Sequence, residues 1–159
     1  MKRNLLLIKK YFQKVVRIIK GGNKKPQIFK KLGFGFYWDD ELFRDIDGPI
    51  IELDINELLW NLDLPFWEEE KIDDWNLTPR EVIQNSKYYP SHYQKILKVD
   101  LNYPICIAKS TNGKWFVLDG THRLAKAYID NLKTIKAKII PNSNILQNVR
   151  MSRSRFSLL

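Results

Sequence analysis

Cysteine is nearly absent from this chain of 159 residues, and long hydrophobic runs are absent altogether. The single cysteine, Cys106, excludes an intrachain disulfide and fits a reducing, cytoplasmic setting. It lies in the apolar run Pro104 to Ala108, where a small buried hydrophobe is the expected role. No stretch approaches the roughly 18 apolar residues of a transmembrane helix. The apolar run Leu5 to Ile8 is too short for the core of a secretory signal. No histidine spacing suits a transition metal, and there is no internal repeat.

Charge of one sign is also missing over long stretches. Residues 1–38 hold eleven basic and no acidic side chains. Residues 39–81 hold fifteen acidic against three basic, and residues 82–159 thirteen basic against three acidic. The net excess of +9 favours a polyanionic partner or substrate. The acidic middle block can neutralise a basic block within the molecule, so global charge alone does not select nucleic acid. The runs Glu68-Glu69-Glu70 and Asp73-Asp74 read as a solvated face.

What the chain does have is a strand, turn and helix start with polar groups on it. The apolar run Trp115 to Leu118 stops at Asp119-Gly120, and a helical pattern then begins with Thr121, His122 and Arg123. Exposed helix starts present free N–H groups and partial positive charge, which suits an anion. Arg123 adds a planar fork for phosphate, and His122 a donor or a proton near neutrality. Gly120 lets a ligand approach the backbone, and Thr121 can cap the helix or bond a phosphate oxygen. The plain alternative is an ordinary capped Asp-Gly turn. His122 and Arg123 sit about 100° apart on the helix, so one of them at most faces a given phosphate squarely.

The string DGTHRLAKA resembles the signature of the ParB/sulfiredoxin-like superfamily, over Pro49 to Pro141. Ile50 to Leu59 is similar to that family's opening strand and short helix, and Tyr103 to Pro141 to its closing strand, turn, strand, helix and strand. The resemblance implies an α+β domain, a small mixed sheet with flanking helices, whose turn holds nucleotide phosphates. Sulfiredoxins carry a catalytic cysteine where Thr121 stands, which excludes sulfinic-acid reduction. ParB proteins of chromosome and plasmid partition carry a helix-turn-helix domain, and the 18 residues after Pro141 are too few for one. The likeness is closest to the free-serine kinase branch. It implies Asp119 and His122 as catalytic groups, with Gly120, Thr121, His122 and Arg123 binding phosphates. That branch's second carboxylate, a glutamate, is matched by Asp63, with Glu57 as the other candidate.

The expected function is therefore phosphoryl transfer from ATP or ADP, or from CTP, to a small hydroxyl acceptor, with magnesium carried in by the nucleotide. A DNA-associated ParB-like switch or nuclease, and a nucleotide-binding interaction protein without turnover, are the alternatives. Four segments are expected: a basic amphipathic helix at 1–22, an aromatic and glycine linker at 23–48, the domain at 49–141, and a basic tail at 142–159. The helix over 4–20 fits docking on the domain, a membrane surface, nucleic acid or a partner helix. Trp115 and the Trp60 to Trp67 segment are candidates to wall the acceptor pocket.

Locally, residues 21–48 read as irregular, with the run FGFYW either stacking a base or packing over a core edge. Asn56 is expected to cap a short helix through Trp60. Thr78-Pro79-Arg80-Glu81 opens a helix to about Lys87, and Pro90 another to about Val99. His92 is expected at the surface or as a cap. Lys87, Lys95 and Lys98, with Tyr88, Tyr89 and Tyr93, form a basic aromatic stretch suited to phosphate or nucleic acid. A hairpin turns at Thr111-Asn112-Gly113. The motif helix runs to about Asn131 with Leu124, Ala127 and Tyr128 facing inward, and Ile135 to Ile140 is the last strand.

Overall fold

The computed structural model describes residues 26–35, 40–69, 75–143 and 145. The segment 1–22, most of the tail and Asp73-Asp74 lie outside the described residues.

Five short helices and six strands form the described structure: α1 (Gln27–Lys31), α2 (Asp40–Asp45), α3 (Pro79–Gln84), α4 (Pro90–Lys98), α5 (Thr121–Ile129), β1 (Ile50–Asp54), β2 (Trp67–Glu68), β3 (Trp75–Leu77), β4 (Ile105–Lys109), β5 (Trp115–Asp119) and β6 (Thr134–Ile139). Strands β1, β6, β4 and β5 make a four-stranded mixed sheet in that order, and β2 pairs with β3 separately. The β6–β4 pairing is parallel, and both outer pairings are antiparallel. The architecture is thus α+β, a small mixed sheet with flanking helices, as expected.

Local chemistry explains several boundaries. Thr78 and Glu81 complete a capping box, with proline in the first turn of α3. This helix stops at Gln84, short of the expected Lys87. Gly113 takes φ +77° at the hairpin turn, a conformation that glycine adopts without steric cost. Helix α5 ends two residues earlier than expected, where Asn131 takes φ 55° just beyond the cap.

Four local expectations are corrected. The stretch 21–48 is not irregular throughout, because it contains α1 and α2. Asn56 is not the cap of its turn. The Asp54 carboxylate accepts from the Asn56 N–H instead, and two successive 3-10 turns, Ile55–Glu57 and Leu59–Asp63, replace a single helix. Tyr128 does not face inward; it is exposed, while Leu124 and Ala127 are buried. Thr121 is not the helix cap, which is Gly120.

Part of the segment expected as a linker is built into the core. Phe29, Leu32, Phe34, Phe43 and Ile46 are all buried. Phe34, from the glycine-flanked aromatic run, stacks on Phe116 of β5 at 4.3 Å between ring centres. Phe29 and Phe66 each meet the same ring at 5.4 Å. Aromatic pairs in these geometries stabilise beyond their area, by about 0.5–1.5 kcal/mol each. The tail end of that run, Phe36-Tyr37-Trp38, lies outside the described residues.

Strand β5 is an edge strand, and buried Asn61 satisfies its open side. The Asn61 Nδ2 group donates to the Leu58 and Trp115 carbonyls, and its Oδ1 accepts from the Val117 N–H at 2.9 Å. The Trp60 indole N–H also donates to the Trp115 carbonyl. The 3-10 turn is thereby pinned to β5, and β5 in turn delivers Asp119 to its own end.

Candidate functional site

The register between β4 and β5 slips beside Asp119. Cys106 pairs with Asp119 while Ile107 pairs with Val117, so Leu118 is an extra residue in β5. Such a bulge bends the strand and re-aims its last side chain. Residues 116–119 are all buried, and Asp119 is only 8% exposed.

Two guanidinium groups hold this carboxylate. Arg44 of α2 donates from Nε at 3.1 Å and from Nη2 at 3.3 Å, one bond to each oxygen. Arg123 donates from Nη2 at 2.9 Å. Two guanidinium groups therefore meet on one buried carboxylate. A carboxylate beside an expected anion is awkward when alone, and here two guanidiniums engage it. The Arg44 side chain is 58% exposed and that of Arg123 is 17% exposed, so the guanidinium pair reaches from the interior to the surface.

Gly120 makes this arrangement possible. Its φ of +99° lies in the left-handed region. A Cβ there would lie 2.7 Å from an Ile105 methyl and 2.8 Å from Arg123 Nη2. The space above Gly120 thus admits the Arg123 guanidinium on its way back to Asp119. The first turn of α5 leaves the N–H groups of Thr121, His122 and Arg123 outside the helical ladder, which begins with Leu124 N–H donating to the Gly120 carbonyl.

The two residues after Thr121 point to different sides, as the helical angle requires. Arg123 turns toward Asp119, and His122 turns toward β2 and α4. There His122 stacks on Trp67 at 4.3 Å and 18° between planes. His92 of α4 stacks on the same indole at 5.1 Å and 13°. The Trp67 indole N–H donates to the Thr121 hydroxyl at 3.1 Å, which ties the platform to the start of α5. His92 is therefore not the surface or capping residue expected from sequence; it is half-buried, with Nε2 2.9 Å from the Glu68 carbonyl oxygen.

Burial pushes the His122 imidazole down to about 4, helped by His92, Lys95 and Arg123 and opposed by Asp119. His122 is thus neutral through the physiological range. Burial also raises the Cys106 thiol, whose S–H donates to the Phe43 carbonyl. A raised thiol is unreactive, in keeping with the structural role expected for it.

Of the residues expected in the site, Asp119, Gly120, Thr121, His122 and Arg123 come together at the start of α5. Asp63 does not join them. It forms a two-pronged ion pair with Arg80, whose guanidinium lies 5.5 Å from the Tyr128 ring toward the other end of α5. Glu57 is exposed in the first 3-10 turn. Trp115 carries the Lys109 ammonium at 3.8 Å on its ring, and of the indoles from Trp60 to Trp67 only Trp67 reaches the turn. Among the described residues no group of three or more His, Cys, Asp or Glu side chains converges to hold a metal ion. No described helix is long and apolar enough to cross a membrane.

Sequence reasoning missed Arg44 and the part played by His92. One signal was available: the chain has only two histidines, and both stand on one tryptophan. No protein-family model, no curated protein and no solved structure matches the chain.

Proposed function

We propose that the chain is a nucleotide-binding phosphotransferase related to the ParB/sulfiredoxin-like superfamily. It moves a phosphoryl group from a nucleoside di- or triphosphate to a small hydroxyl acceptor. The observation that carries this reading is the Arg123 guanidinium, held by Asp119 at the first turn of a nine-residue helix whose leading N–H groups are open. Phosphoryl transfer needs mainly positioning and charge neutralisation, and both are supplied there. The nucleotide brings its own magnesium. The likeness of DGTHRLAKA to the free-serine kinase branch supports the same assignment. Arg123 and the α5 N–H groups then hold phosphates. Asp119 keeps Arg44 and Arg123 in place beside them.

Calorimetric titration of ATP, ADP and CTP with magnesium into wild type and Arg123→Ala tests this reading. Binding by wild type that weakens at least tenfold in the variant is the expected result. No binding at millimolar nucleotide would sink it. A strong preference for CTP, with no transfer to any alcohol, would turn the reading to a ParB-like nucleotide switch.

A further inference from the structure

The chain's only two histidines lie thirty positions apart in sequence and side by side in the fold. Their ring centres are 6.2 Å apart and their planes differ by 9°. A sandwich, with one imidazole on each face of Trp67, would separate the centres by about 7 Å or more, since each stacked layer takes about 3.5 Å. The observed spacing is shorter, so both rings occupy the same indole face, nearly in one plane, edge toward edge.

Each ring has a bare nitrogen. The Nε2 of His122 and the Nδ1 of His92 are buried and have no hydrogen-bond partner among the described residues. The state of His92 follows from its other nitrogen. The Glu68 carbonyl can only accept, so His92 Nε2 carries the hydrogen and Nδ1 of the neutral ring is a lone pair. Where that lone pair meets the neighbouring imidazole, the His122 tautomer with its hydrogen on Nε2 is the complementary one. The pair then offers one acceptor and one donor. Two ring radii plus one direct N–H···N bond span roughly 5.3 Å, short of the 6.2 Å observed. An oxygen atom bonded to both nitrogens at a near-tetrahedral angle sets the ring centres roughly 6.4 Å apart, close to the observed spacing.

We infer that His92 and His122 together hold the hydroxyl of the phosphoryl acceptor, an alcohol, with His122 Nε2–H donating to its oxygen and His92 Nδ1 accepting its hydrogen. This rests on the phosphotransferase reading, and it names the base for that reaction. As the acceptor oxygen bonds to phosphorus, its O–H proton passes to His92 Nδ1. The bond from phosphorus to the leaving nucleotide oxygen breaks, and its electron pair stays with the nucleotide. The resulting His92 imidazolium still donates from Nε2 to Glu68. His122 stays a neutral donor, in keeping with its low proton affinity. Asp119 is engaged by two arginines and is not needed as the base.

Long-range proton–nitrogen spectra of the uniformly labelled full chain test this directly, because only two imidazoles give signals and His92→Asn assigns them. The expected result is both rings protonated on Nε2, with bare Nδ1. A hydrogen on Nδ1 of either ring overturns the inference. A second readout uses magnesium-ATP, with water as the acceptor hydroxyl. His92→Asn is expected to lower kcat for hydrolysis by about 100-fold or more with KM for ATP unchanged, whereas Arg123→Ala raises KM. Hydrolysis by His92→Asn at the wild-type rate overturns the inference while nucleotide binding keeps the phosphotransferase reading. Where water does not serve as acceptor, the tautomers decide. Absence of nucleotide binding by calorimetry removes the phosphotransferase reading itself, which is a separate result.

Discussion

Asp119 and Asp63 were both expected as catalytic carboxylates, and each is held by arginine near a different end of α5. Asp119 is 8% exposed and faces two guanidiniums, whereas Asp63 is 56% exposed and faces one. Burial decides what the pairing means. An exposed pair competes with water and is worth little, while a buried one becomes costly once a partner is lost. The Asp63 end therefore reads as a surface contact that fastens α3 to the 3-10 turn. The Asp119 end is a charged cluster that the fold must keep intact, and the ring pair on Trp67 adjoins it.

The sharpest way to break this contrast is Asp119→Ala. It leaves Arg123 largely buried beside Arg44 with no anion between them, and a loss of about 3 kcal/mol is expected, read by chemical denaturation. A loss no greater than that of Asp63→Ala would end the distinction. Acid acts on the Asp119 end through His122. Its folded affinity is lowered to about 4 from 6.5, so between these values the unfolded chain binds a proton that the folded one does not. Stability from this group is full above pH 6.5 and falls toward pH 4, by roughly 3 kcal/mol. His122→Asn should flatten that part of the stability–pH curve, and an unchanged slope would remove His122 as its source. Smallest is Asp63→Ala, with a loss below about 1 kcal/mol that shrinks further in salt.

The start of α5 was legible because its signals are local. An apolar run, an Asp-Gly pair and a polar helix start lie within a dozen residues, and each acts on its neighbours. The capping box of Thr78 and Glu81 was legible for the same reason. Phe34 was visible as an aromatic residue between glycines, but not as the ring that stacks on Phe116, because its partner stands far along the chain. Tyr128 was misplaced because helical spacing gives a stripe, and the width of the covered stripe depends on what packs over it. His92 was misread because a histidine after Pro-Ser at a helix start looks the same whether it faces water or an indole.

By itself the sequence determined the four strands of the main sheet in chain order, the turn at Asp119-Gly120, and the divergent directions of His122 and Arg123. These follow from backbone sterics and helical geometry over a few residues. The tertiary structure alone decided that Arg44, 75 positions from Asp119, would complete the guanidinium pair. It alone brought Trp67 to Thr121 across 54 positions and laid both histidines on one indole face. Charges and rings carry no local mark of their partner. Packing of α2, β2 and α4 around the end of β5 selects it, by burying some pairs and leaving others to water.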